Sequence, residues 1–178
     1  MVYSAQVSAR NAENDRVNDP GMCLQVVRMW CGIGARYSDA ATAWRNTNDR
    51  HPGDKTNIPR GAAVYWTGGS KGYGHIALSL GNGKVRSTDA GGRGKVATVD
   101  IGWVERTWGQ KYAGWSWDIN EVTIPHPEPD KDTGWETVRK QLLATLNSEA
   151  AQKILPKRKK VTQFIKDTKA AIEKLPKE

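Results

Sequence analysis

The first apolar pattern along the chain has helical spacing. Apolar residues spaced three and four positions apart predict one helix that carries Cys23, Val26, Val27, Trp30 and Cys31. Asp19 offers an N-cap oxygen and Pro20 suits the first helical position, while Gly32 or Gly34 would end the helix. Two shorter helices are predicted on either side, over residues 9–15 and 38–46.

Beyond residue 60 the apolar pattern becomes that of strands. The clearest signal is a hairpin, in which strands over residues 76–80 and 84–88 flank the turn residues Gly81, Asn82 and Gly83. Further strands are predicted over residues 62–67, 95–100 and 112–119, with a short helix over 104–108. Helices that precede an antiparallel sheet indicate the α+β fold class.

The composition changes after residue 122. Residues 123–134 are rich in proline and predict an extended linker. Residues 135–178 contain two amphipathic stripes separated by Pro156, which predict a C-terminal helical hairpin. We therefore expect one folded domain over residues 1–122 and a two-helix region that targets the protein or allows it to oligomerise.

The formal net charge of +8 favours polyanionic surroundings. No known nucleic-acid reader motif is present, so nucleic acid is not an expected partner. A basic run such as residues 157–160 is most often a solvated turn between helices. The alternative is contact with anionic wall polymers, such as teichoic acids or arabinogalactan-associated phosphate, or with anionic lipid. No stretch of eighteen apolar residues predicts a membrane span, and the polar first thirteen residues do not resemble a signal peptide.

The cysteine and histidine spacing argues against a disulfide or a metal site. Cys23 and Cys31 lie eight residues apart in one predicted helix, which separates their Cα atoms by about 12 Å. His51, His75 and His126 are scattered and do not form a spacing typical of zinc ligands. We therefore expect no metal and no cofactor.

Cys23 and His75 are the residues most suited to chemistry. A thiol at a helix start lies in the positive end of the helix dipole, and the free N–H groups there could bind an oxyanion. A histidine at the start of a strand could serve as its base and acid. Asp89 stands at the end of the second strand of the hairpin, and Ser87 lies on the same face because side chains alternate along a strand. We predict that the Asp89 carboxylate orients the imidazole of His75.

Several short strings resemble the CHAP and NlpC/P60 cysteine peptidases of the papain-like group, and more closely the catalytic domains of phage endolysins that attack actinobacterial walls. The resemblance covers residues 17–122. Its strings are Gly21-Met22-Cys23-Leu24, Val27-Arg28, Ala43-Trp44, Val64-Tyr65-Trp66, the segment from Gly74-His75 to Gly81, Ser87-Thr88-Asp89 and Gly114-Trp115.

The resemblance implies a papain-like fold and hydrolysis of an amide bond in peptidoglycan. Cys23 would be the nucleophile, His75 the general base and acid, and Asp89 the orienting acid. Many NlpC/P60 enzymes carry a third histidine near position 87, whereas this chain has Ser87, which favours the CHAP-like pattern. Asn18 or Asp118 remain alternatives as the third group.

Other residues are assigned by their place in the pattern. Trp66 and Ser87 are candidates for substrate binding, because they flank the predicted site. Trp30 and Trp44 are expected in the core, and Cys31 is expected to be a small buried residue. His51 and His126 lie in loop or linker sequence and are expected to be solvated.

Two interpretations of the function stay open from the sequence. In the first, an endolysin-type hydrolase waits in the host cytoplasm until a holin-type opening of the membrane gives it access to the wall. Both N-acetylmuramoyl-L-alanine amidase and peptide endopeptidase activity fit that machinery. In the second, the same scaffold is an inactive wall-binding or virion structural module.

Overall fold

The computed structural model describes residues 1–126 together with residues 167, 168 and 170. The chain divides into two compact units, Met1–His126 and Pro127–Glu178. The predicted C-terminal hairpin, most of the proline-rich linker and the basic run at residues 157–160 lie outside the described residues. No helix among the described residues is long and apolar enough to cross a membrane.

Three helices come first in the chain, as the sequence predicts. Ser4 caps α1 (Ala5–Asn14), and Asp39 caps α3 (Ala40–Arg45) through its bond from the Thr42 N–H. Between them lies α2 (Cys23–Trp30), and the short α4 (Trp103–Trp108) follows later in the chain.

Six strands form one antiparallel sheet in the order β1-β6-β2-β3-β4-β5. A separate two-stranded sheet pairs β7 with β8. The mixed helix and antiparallel sheet confirms the α+β prediction. The strands of the large sheet are β1 (Arg50–Pro52), β2 (Ala63–Thr67), β3 (His75–Gly81), β4 (Lys84–Thr88), β5 (Val96–Asp100) and β6 (Lys111–Ser116), and those of the small sheet are β7 (Asp118–Ile119) and β8 (Val122–Thr123).

The sheet is buried on both faces. Alternation along β2 directs Tyr65 into a cluster that includes apolar residues of α1, α2 and α3. Its neighbours Val64 and Trp66 enter a second cluster, which includes Val104 of α4. Strand β3 alternates in the same way, and α2 packs against it, so the start of α2 lies beside the start of β3.

The start of α2 differs from the prediction. Gly21 adopts a left-handed conformation with φ of 79°, which interrupts the helix before it reaches Pro20. Met22 occupies the N-cap, and the first helical residue is Cys23 itself. Asp19 is therefore not the cap. Because Met22 has no side-chain oxygen, the first N–H groups of α2 keep their hydrogen-bonding capacity.

Two strand predictions also change. Residues 50–52 form an edge strand, β1, where the sequence indicates only turns. The predicted strand over residues 112–119 is divided, because β6 ends at Ser116 and β7 begins at Asp118 in the second sheet. The Ser116 hydroxyl accepts a hydrogen bond from the Asp118 N–H at 2.8 Å, and this local contact accompanies the break.

Candidate active site

Cys23 and His75 line one open groove of about 570 Å³. A second depression of about 250 Å³ also reaches Cys23. The two share part of their walls, namely Gly21, Cys23, Tyr73 and Gly74. Cys23 therefore lines both depressions, and each offers space beside it.

The thiol of Cys23 is placed by a helix start and a strand start. Main-chain N–H groups of Leu24, in the same helix, and Ile76, in β3, lie close enough to hydrogen-bond the sulfur. Burial nevertheless raises the pKa of Cys23. The neighbouring charge of Asp89 adds to that rise, whereas the N–H groups of Ile76, Leu24 and Cys23 itself oppose it. The resting sulfur is therefore a thiol at neutral pH, and not the thiolate that the helix dipole alone would favour.

Two aromatic rings pack against His75, and the residue before it must be glycine. Gly74 has φ of 66°, and a Cβ there would lie 2.4 Å from the carbonyl oxygen of Trp66. The imidazole packs against Trp66 and Trp108, with ring centroids 5.9 and 5.0 Å away. His75 is 4% exposed, and burial lowers its pKa to about 4, against the opposing charge of Asp89. The ring is therefore neutral at pH 7.

The partner of the imidazole is Ser87. His75 Nε2 lies 2.8 Å from the Ser87 hydroxyl oxygen, and that hydroxyl donates to the Thr88 carbonyl at 3.2 Å. A hydroxyl has a single proton, so a Ser87 that donates to Thr88 must accept from His75. The tautomer that satisfies both contacts carries the proton of the neutral ring on Nε2. Nδ1 is then the nitrogen that is free to accept a proton from Cys23.

Asp89 has a different role from the one the sequence predicts. Its φ of 57° takes it out of the alternation of β4, so its carboxylate points away from the path expected for a strand residue. The carboxylate accepts hydrogen bonds from the N–H groups of Gly21 at 2.9 Å and Gly94 at 2.7 Å, and from Asn18 Nδ2 at 3.2 Å. Asp89 thus joins the segment before Cys23 to the loop after β4.

These bonds also explain the charge of Asp89. Burial disfavours the ionised form, but the hydrogen bonds from Gly21, Gly94 and Asn18 hold the pKa of Asp89 below its ordinary value. The carboxylate therefore acts on Cys23 and His75 through its charge, with no hydrogen bond between it and the imidazole among the described residues.

Other sequence candidates are placed away from substrate. Trp66 is fully buried in the sheet, so it supports the imidazole and cannot line the groove. Ser87 is also fully buried, which is inconsistent with direct substrate binding. Asn18 holds Asp89, and Asp118 accepts from the N–H groups of Asn48 and Asp49. Neither Asn18 nor Asp118 is hydrogen-bonded to His75 in the described residues.

Cys31 and the remaining histidines have structural surroundings. Cys31 is a free, fully buried thiol, and burial raises its pKa to about 12. His51 stacks on Trp115 at 3.6 Å and His126 stacks on Trp117 at 4.0 Å, instead of being simply solvated. Within residues 1–126, 167, 168 and 170, no three His, Cys, Asp or Glu residues form a metal-binding group.

Sequence reasoning missed most of the groove wall. The glycine-rich connector that leads to His75 supplies Lys71 and Tyr73, and the loop after β4 supplies Arg93. Trp108, at the end of α4, and Gln110 complete that side. The only available signal was the cluster of glycines around these positions, because such loops carry binding residues without a periodic pattern.

Comparison with known proteins gives one structural similarity. No family model and no curated protein matches the sequence. Among solved structures, the chain is similar to the P60 domain of an antigen from M. avium subspecies paratuberculosis, with a TM-score of 0.43 and 16% sequence identity. The similarity covers 62% of this chain and 92% of that chain.

Proposed function

We propose that the protein is a cysteine hydrolase that cleaves an amide bond in peptidoglycan. The observation that carries the proposal is the joint placement of Cys23 and His75 on one groove, with His75 Nε2 hydrogen-bonded to Ser87. This arrangement leaves a basic nitrogen for the thiol. The wall substrate is supported by the short sequence strings that resemble peptidoglycan-cleaving cysteine peptidases.

The reaction begins from a neutral pair. His75 Nδ1 takes the proton of the Cys23 thiol as the sulfur attacks the amide carbon, and the carbonyl oxygen gains the negative charge. The uncapped N–H groups at the start of α2, among them those of Cys23 and Leu24 that contact the resting sulfur, are the donors proposed to stabilise that oxyanion. The imidazolium then protonates the amide nitrogen, the C–N bond breaks and the amine leaves a thioester on Cys23.

Water completes the cycle. His75 takes one proton from the water as its oxygen attacks the thioester carbon, and the C–S bond then breaks. The imidazolium returns its proton to the sulfur, which restores the thiol and the neutral ring. Each transfer uses Nδ1, so Ser87 acts as a positioning residue that holds the proton on Nε2 and fixes the ring orientation.

The groove favours a bond inside a longer chain. Two depressions that both reach Cys23 offer space for an acyl portion and an amine portion of a substrate. A stem peptide, or its junction with the glycan, has this form, so both endopeptidase and amidase products are consistent with the site. The endolysin resemblance further favours host lysis as the biological role, with access to the wall after the membrane opens.

The test is product analysis of digested walls. Purified actinobacterial peptidoglycan is incubated with the wild-type protein and with Cys23→Ala, and the muropeptides are examined by mass spectrometry. We expect the wild type to give new fragment pairs whose masses sum to the parent plus one water, each with a new amine, and Cys23→Ala to give none. Walls that bind the protein but yield no new fragments would instead identify an inactive binding module.

A further inference from the structure

Two cations lie in the groove wall beside the nucleophile. Lys71 and Arg93 both line the larger depression with Cys23. Neither forms an ion pair within the described part of the chain, whereas Arg36, Lys55, Arg60 and Arg106 each pair with a carboxylate elsewhere. Their charges are therefore available to a ligand.

The one carboxylate in this depression, Asp89, forms no ion pair with either cation among the described residues, and its single charge offsets only one of the two. Asp89 is surrounded by N–H groups from Gly21, Gly94 and Asn18, which satisfy its oxygens. With His75 neutral, the exposed ionic groups of the depression are cationic. A groove of this kind attracts an anionic part of a substrate and disfavours a second cation.

Main-chain hydrogen bonds hold both cation-bearing loops. Gly94, next to Arg93, donates to Asp89 and accepts from the Asn18 N–H at 2.9 Å. The Lys71 loop is closed by N–H donation from Gly72 to Gly69 and from Gly74 to Gly68, each at 3.0 Å. Main-chain hydrogen bonds therefore close both loops next to the two cations, while the exposed side chains can adjust to a ligand.

A polar acceptor lies in the same wall. The side-chain oxygen of Gln110 is buried and has no hydrogen-bond partner among the described residues. A buried acceptor without a partner costs free energy, and a ligand N–H donor would relieve that cost. The wall thus offers two exposed cations for a carboxylate, and the Gln110 amide becomes an acceptor for a ligand N–H once its side chain turns toward the groove.

We propose that Arg93 and Lys71 form a carboxylate subsite, so that the preferred substrate carries a free carboxylate in the same depression as the scissile amide. The inference rests on the proposed hydrolase function and specifies its substrate class. Arg93 can make two parallel hydrogen bonds to a carboxylate, and Lys71 adds a single mobile charge. Conversion of that carboxylate to a carboxamide removes both interactions.

The test uses pairs of synthetic stem peptides. One pair differs only in a carboxylate or carboxamide on the glutamyl residue, and a second pair differs in the same way at the C-terminal residue. We expect the wild type to prefer the carboxylate form of at least one pair by about tenfold in kcat/KM. Arg93→Gln should remove most of that preference by raising KM, Arg93→Lys should retain part of it, and Lys71→Gln should reduce it further.

The control is Arg10→Gln, which removes an exposed arginine of α1 that does not line the groove. This variant should keep the wild-type preference. Equal kcat/KM for both members of each pair, or an unchanged preference in the Arg93→Gln, Lys71→Gln double variant, would overturn the subsite.

Binding separates this inference from the proposed function. Calorimetry with the Cys23→Ala protein measures the affinity for the same peptide pairs without turnover. If the wild type cleaves nothing but the Cys23→Ala protein still binds the carboxylate form about tenfold more tightly, the hydrolase proposal fails and the subsite stands. If cleavage occurs without a carboxylate preference in rate or affinity, the subsite fails and the hydrolase proposal stands.

Discussion

The Nε2 atom of His75 lies 2.8 Å from the hydroxyl oxygen of Ser87. The register of the hairpin explains this contact, because pairing of Leu78 with Arg86 places Ser87 diagonally across from His75. A neutral hydroxyl orients the ring without adding a negative charge. Cys23 and His75 are therefore both uncharged in the resting state, and the thiol proton is transferred as the sulfur attacks the amide carbon.

Removal of this hydroxyl should lower the rate without a comparable loss of substrate binding. In Ser87→Ala the proton of His75 can redistribute between the ring nitrogens, so we expect kcat to fall about 10- to 100-fold with KM nearly unchanged. Nitrogen NMR of the imidazole should show Nε2–H in the wild type and a mixture of tautomers in the variant. Ser87→Thr, which keeps a hydroxyl, should recover part of the rate.

Ser79→Ala is the matched control, because Ser79 is a buried serine of β3 that hydrogen-bonds to the Ile58 carbonyl and does not line the groove. It should leave both kcat and the His75 tautomer unchanged. A Ser87→Ala protein with wild-type kcat and a single Nε2–H tautomer would show that Ser87 does not position the ring.

The pH dependence of kcat/KM should report the neutral pair. His75 must be unprotonated to accept the thiol proton, and its pKa is about 4, so activity should fall only as the pH drops toward 4. Since burial raises the pKa of Cys23, no loss from thiol ionisation should appear below pH 9. Rates on a soluble peptide should therefore form a plateau from about pH 5 to 9. A bell-shaped pH profile in which kcat/KM falls below about pH 6.5 would contradict this account.

His75 should also make folding stability depend on pH. Between pH 6.5 and 4 the unfolded chain protonates this histidine while the folded protein keeps it neutral, so acidification favours unfolding. The contribution to the free energy of unfolding is on the order of 3 kcal/mol across that interval. Denaturant titrations of His75→Asn should show a shallower acid slope than the wild type. Equal slopes for the wild type and His75→Asn would refute the assignment.

Loss of the Asp89 carboxylate should loosen two segments at once. Asp89→Ala leaves the N–H groups of Gly21 and Gly94 without their acceptor, and we expect a loss of about 2–4 kcal/mol in the free energy of unfolding. Hydrogen exchange should accelerate at both glycines. Glu13→Ala, which breaks an exposed ion pair with Arg60, should cost less than about 1 kcal/mol. An equal decrease in the free energy of unfolding for both variants would show that Asp89 does not hold these two segments together.

The hairpin that bears His75 and Ser87 was predictable from sequence to within one residue. Period-two alternation and the Gly81-Asn82-Gly83 turn are local signals, so no distant residue was needed to define strands β3 and β4. The prediction that Cys23 lies near a helix start was correct for the same reason. The residue at which α2 begins was not, because the left-handed conformation of Gly21 interrupts the turn after Asp19.

The partner of His75 could not be derived from alternation alone. A regular strand would place Asp89 beside the ring, but its positive φ and the N–H groups of Gly21 and Gly94 draw the carboxylate elsewhere. Gly21 lies 68 residues away along the chain, so only the tertiary fold brings it to Asp89. Arg93 and Lys71 could not be predicted for the same reason. They line one groove, but they lie in separate loops whose sequences have no periodic pattern.

The most direct test of the account compares two cysteine substitutions in helix α2 and at its end. Initial rates of amine release from a defined soluble muropeptide are measured for the wild type, Cys23→Ala and Cys31→Ala. Cys23→Ala should lose at least about a thousandfold in kcat/KM, whereas Cys31→Ala, which alters a buried thiol away from the groove, should stay within about threefold. Amine release by Cys23→Ala at the rate of the wild type would contradict the account.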